Sequence, residues 1–180
     1  DTGPPAAPTS EQEELMQMVL RIVFGKISQR KDGQKNRRRN TLRFLAESVS
    51  DAHVQSFIAF ALEPIADEVE AFRTALGHQN LVGMGDIRTD VAPGVLVGIL
   101  HMITDVIQEL GEKLSSEPWE TLLCTASLIF TAAHSAGSSE GDDLGAQAKE
   151  LRSLSTRALA DTFFRRPELG TTVCRYLISS

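Results

Sequence analysis

Apolar residues recur at helical spacing along almost the whole chain, and no convincing strand pattern interrupts them. The clearest stripe is Val95, Ile99, Met102, Ile103, Val106, Leu110 and Leu114, with Trp119, Leu122, Leu123, Ala126, Ile129, Phe130 and Ala133 following. Each such segment must bury its apolar side against a neighbour, and the stable answer for a chain of helices is helix on helix. Aromatic residues are only 6% of the chain, so aliphatic side chains fill the core. The spacing therefore predicts an all-α fold of seven or eight helices. Short connections make successive helices antiparallel. Stacked pairs of this kind build a HEAT/armadillo-like α-solenoid segment. A clean internal repeat is absent, although LRSLSTRALADTFF (151–164) resembles the second helix of a HEAT unit. A compact helical bundle stays open as the alternative.

Prolines, glycines and caps punctuate the pattern. Residues 1–9 (DTGPPAAPT) have no periodicity and read as a flexible tail or linker before a helical-repeat segment over 10–180. Ser10 and Glu13 form a capping box, after which Leu15, Met18, Val19, Ile22 and Val23 make the first stripe. A second helix is expected from about Arg37 to Glu47, with Leu42 and Leu45 inward. Val54, Phe57, Ile58, Ala61 and Leu62 form the next face, which Pro64 should end or kink. Val69, Phe72 and Leu76 continue it, with Gly77 as a C-cap and an irregular stretch to Ala92. Pro93 and Pro118 suit helix starts. An acidic Ser/Gly loop at 135–145 precedes a helix lined by Leu144, Ala148, Leu151, Ser155, Ala158, Leu159 and Phe163. Pro167 should stop that helix, and Val173 to Ile178 should begin another.

One stretch departs from this regularity. Between Lys26 and Arg39 stand seven cations, Lys26, Arg30, Lys31, Lys35, Arg37, Arg38 and Arg39, against the single acid Asp32. That is a net +6 inside a chain of net −6, so the rest carries −12. The expected structure is a basic loop at 28–40 between two helices. Flexible Arg and Lys on a polar loop can neutralise nucleic-acid phosphates. No aromatic residue interleaves them, so base stacking is not indicated and any RNA contact should be indifferent to sequence. A solvated linker docking on acidic protein, or a nuclear localisation signal, fits the same residues.

Motifs that carry chemistry are missing. His53, His78, His101 and His134 fall on different elements without metal-ligand spacing, and no phosphate-binding glycine loop or nucleophile elbow is present. Cys124 and Cys174 lie far apart and read as reduced, buried, small hydrophobes of an intracellular protein. No apolar run is expected to approach the roughly 18–20 residues that span a bilayer, and the Pro- and Ala-rich start is no signal peptide. The expectation is a chain that is not an enzyme, with no catalytic residue, metal, cofactor, membrane or small-molecule substrate. Its start at Asp1 reads as that of an excerpt from a longer array or of a processed product.

RIVFGKI (21–27), a basic linker, LRFLA (42–46) and EPI (63–65) follow one another in a recognisable order. In this the chain resembles the Down-Regulated-In-Metastasis family, U-three small nucleolar RNA-associated protein twenty, a very large helical-repeat subunit of the small-subunit processome. The first third of the chain carries most of the likeness. The proline-rich tail, the Gly77–Ala92 region and the SSEGDD loop depart from it. The resemblance implies a non-catalytic HEAT-type scaffold acting in nucleolar small-subunit ribosome biogenesis and pre-rRNA processing. Its implied partners are other processome proteins, with pre-ribosomal RNA and small nucleolar RNA reached through the basic loop. A HEAT-type transport or adaptor protein that binds basic partners is the alternative.

Overall fold

The structure is a computed structural model that describes residues 11, 14, 18, 39–40, 42–43, 51–77, 90–135, 142–168 and 171. Five α-helices have both ends among them: α1 (Asp51–Leu62), α2 (Ala66–Gly77), α3 (Pro93–Leu110), α4 (Ser116–Ser135) and α5 (Asp142–Arg165). Among the described residues there is no strand. The architecture is the all-α helix-on-helix stack of a solenoid-like segment.

Pro64 makes the corner between α1 and α2. Proline has no N–H to donate and its ring crowds the residue before it, so α1 stops at Leu62. A three-residue 3-10 turn, Glu63–Ile65, replaces it, and the Ala66 N–H bonds back to the Glu63 carbonyl as α2 begins. Val54, Phe57, Ile58, Ala61 and Leu62 are buried from α1 as expected, and Val69 and Phe72 from α2, while Leu76, expected beside them, is only half-buried and Ile65 of the turn is fully buried.

Pro93 opens α3 as expected, but this helix is buried on more than one side. Leu96, Val97, Ile99, Leu100, Met102, Ile103, Val106, Ile107 and Leu110 are all inside, because α1, α4 and α5 all pack on it. Val95, placed on the inward stripe by spacing, is only half-buried. The expectation that no apolar run approaches a membrane-spanning length fails here. Over its 18 residues α3 passes by length and composition, yet 61% of it is buried within the protein, as in the core helix of a soluble protein.

The stripe through Leu114 also overstates α3, which ends four residues earlier. At Gly111 the chain turns, with the Lys113 N–H on the Leu110 carbonyl at 2.8 Å, and Leu114 stays buried outside the helix. Trp119 of α4 lies against this turn, fully buried, and its Nε1–H donates to the Gly111 carbonyl at 3.2 Å. A Cβ on Gly111 would press on the Ile107 carbonyl and stand 3.2 Å from the indole ring. The glycine is there for close approach.

Two arginines fix how α5 runs. Near its middle, Arg152 Nε donates to the Ala133 carbonyl at the end of α4, at 2.9 Å. Past its end, Arg166 donates to the Leu114 carbonyl just before α4, at 3.1 Å, and its guanidinium lies 5.8 Å over the Trp119 ring. So α5 runs antiparallel to α4, and it packs along both α3 and α4. Thr125 and Ser127 of α4 and Ser155 and Thr162 of α5 are buried, as are Ala126 and Ala158. A buried hydroxyl needs a partner. Each of these four finds it in its own helix, donating to the carbonyl of Thr121, Leu123, Arg152 and Ala158 respectively, at 2.8–3.2 Å.

Three further expectations shift. Met18 is helical but 57% exposed, so it stands outside the core despite its place on the first stripe. Arg39 and Asn40 are helical, and so are Ser135 and Asp142–Gly145, which narrows both expected loops. Pro167 and Glu168 are helical after the single break at Arg166, so Pro167 opens a new helical stretch as well as closing α5. The 1–9 tail, the remainder of the first stripe, Leu45, Cys174 and Val173 to Ile178 lie outside the described residues.

Candidate cationic interface

The cationic stretch meets the core through a short helical segment, Arg39, Asn40, Leu42 and Arg43. Leu42 is fully buried, as its spacing predicts. Burying a leucine stabilises by about 1.5–3 kcal/mol, which favours docking of this turn on the core. Four residues apart, Arg39 and Arg43 lie on one side of that turn, where like charges repel. The repulsion is answered by Glu109 in the last turn of α3. Arg39 Nε donates to Oε1 at 2.5 Å, while Arg43 donates from Nε to Oε2 at 2.6 Å and from Nη2 to Oε1 at 3.5 Å.

Exposure is layered across this trio. The Glu109 side chain is 6% exposed, that of Arg39 33% and that of Arg43 60%. Burial pushes the Glu109 carboxyl up, but hydrogen bonds from Arg43 and Arg39 and their charges outweigh it, holding it below the ordinary glutamate value. The carboxylate is thus a fixed anion under two cations, with the cations toward solvent.

Of the seven cations singled out by charge, only Arg39 is among the described residues, and it is seated on the core. Lys26, Arg30, Lys31, Lys35, Arg37 and Arg38 lie outside them. Sequence reasoning missed Arg43, because Leu42 and Leu45 made that stretch look like core, and it missed Glu109. Two signals were there. Arg43 is one helical turn beyond Arg39. Glu109 is an acid in the last turn of an apolar helix, where the macrodipole disfavours it unless cations attend it.

Elsewhere the titratable groups have structural work. Burial pushes the Cys124 thiol up to about 12, which leaves it protonated and a poor nucleophile. His134 is exposed, stacks on Phe130 with centroids 4.0 Å apart, and places Nδ1 2.8 Å from the Phe130 carbonyl. Among the described residues no group of three or more His, Cys, Asp or Glu is placed to hold a metal ion.

The family model for the N-terminal region of U3 small nucleolar RNA-associated protein 20 matches residues 7–177, nearly the entire chain. The chain belongs to that family. Membership in the U3 small nucleolar RNA-associated protein 20 family gives it a role in small-subunit ribosome biogenesis, in the small-subunit processome. The likeness carried by RIVFGKI, LRFLA and EPI is thereby borne out, and so is the helical architecture expected with it. No curated protein matches the chain, and no solved structure does.

Proposed function

We propose that this chain is a non-catalytic scaffold segment working in the nucleolus, where it holds pre-ribosomal RNA and neighbouring processome proteins in register. A stack of helices offers a long surface on which several partners can sit at fixed spacing. The carrying observation is that the last cation of the run, Arg39, stands on a turn anchored by the fully buried Leu42. A cationic segment tethered to a rigid body presents its charge at a defined place. Contact with RNA through it is electrostatic and indifferent to sequence, as befits Arg and Lys without interleaved aromatics.

The test leaves the seated residues alone. Lys35, Arg37 and Arg38 are changed together to Gln, and binding of a labelled, mixed-sequence RNA duplex is titrated at several salt concentrations. The expected result is weaker binding and a slope of log affinity against log salt that flattens by on the order of two. An unchanged slope removes this segment from RNA contact.

A further inference from the structure

We infer that Arg43, held beside Arg39 by Glu109, contacts RNA phosphate directly, and that Glu109 is the positioning residue that makes the two guanidiniums a phosphate-binding fork. The inference rests on the reading of the cationic segment as an RNA contact and extends it to two residues outside the run of charge.

Three observations carry it. Both guanidiniums converge on one carboxylate, so their spacing already suits an oxyanion with several acceptor oxygens. Glu109 accepts from three N–H groups of the pair, while each guanidinium carries five, so most donors are left for a second acceptor. Exposure then sets the direction: the carboxylate is the buried member and Arg43 the outermost. Two cations over one anion keep a net positive charge on that outer side. A phosphate approaching from solvent meets donors whose side-chain freedom has already been lost to the salt bridge, which lowers the cost of binding it. A mere interhelical bridge would need only one of the two arginines to neutralise Glu109.

The experiment uses the same RNA duplex and the 180-residue chain, with melting followed for every variant. Arg43→Gln should reduce the salt slope by about 0.7–0.9, one phosphate's worth, and raise Kd several-fold at low salt. Arg43→Lys should restore the slope but not the full affinity, because charge returns without the planar fork. Glu109→Gln is the sharper arm. It makes the chain more positive, so charge counting predicts tighter binding, whereas loss of positioning predicts weaker binding with melting little changed. Tighter binding by the Glu109→Gln variant overturns the inference. So does a wild-type slope in the Arg43→Gln variant while the wild type binds, an outcome that leaves the parent reading standing. A wild type that fails to bind RNA removes both. Capture of polyglutamate in preference to RNA, lost in Arg43→Gln, would assign the fork to an acidic protein and overturn the phosphate assignment.

Discussion

Arginines hold two seams of this molecule, and they do so by different chemistry. At the base of the cationic segment, Arg39 and Arg43 share the buried carboxylate of Glu109. At the far end of α5, Arg166 uses the Leu114 carbonyl and the face of Trp119, and its ionic partner Glu168 is 58% exposed. The first seam is made of charge and loosens when that charge is neutralised. The second is made of a carbonyl and a ring, neither of which titrates. A seam of the first kind can serve a charged ligand as well as the fold; one of the second kind serves the fold alone.

The largest effect should come from breaking the neutral seam. Trp119→Ala removes a fully buried ring, the bond to Gly111 and the seat of Arg166. It should destabilise by about 3–5 kcal/mol in urea unfolding. Next is the apolar half of the charged seam. Leu42→Ala should cost about 2–4 kcal/mol, with faster amide exchange concentrated at residues 39–43 and α3 still protected. A uniform loss of protection would show that the two seams are one unit.

Acid should then separate them. Because the folded Glu109 value lies below the ordinary one, its contribution is fully present above the unfolded glutamate pKa, about 4.5, and is lost as pH falls through the folded value. Its partners are a third or more exposed and screened by solvent, so the loss should be modest, on the order of 1 kcal/mol. In Glu109→Gln that share of the acid sensitivity should vanish, which melting at pH 7 and pH 3.5 checks. An equally acid-sensitive Glu109→Gln variant would place the titrating group elsewhere. The smallest effect should be that of Arg166→Lys, below about 1 kcal/mol, since a lysine keeps the charge but loses the flat stacking on Trp119.

Much of this fold was legible in the sequence wherever a helix has one inward face. Val54, Phe57, Ile58, Ala61 and Leu62 sit where their spacing puts them, and Pro64 breaks the path where proline chemistry requires. Periodicity failed for the central helices. A stripe describes one contact face, whereas α3 and α4 each have neighbours on several sides, so Leu96, Leu100 and Ile107, off the expected stripe, are buried too. Thr125, Ser127 and Thr162 look polar in sequence but satisfy their hydroxyls locally and can go inside. For the candidate interface, net charge located the segment. The partnership of Arg43 with Glu109, 66 residues apart in the chain, belongs to tertiary packing and left no trace in spacing.

Those local hydroxyl bonds have a mechanical consequence. Since Thr125, Ser127, Ser155 and Thr162 direct their hydrogen bonds along their own helices, those bonds do not cross the α4–α5 seam. Arg152 and Arg166 pin its two ends. Packed helices joined in that way yield by small sliding of one past the other. Any shift between α4 and α5 is therefore felt at the Ala133 and Leu114 carbonyls, where the two arginines cross.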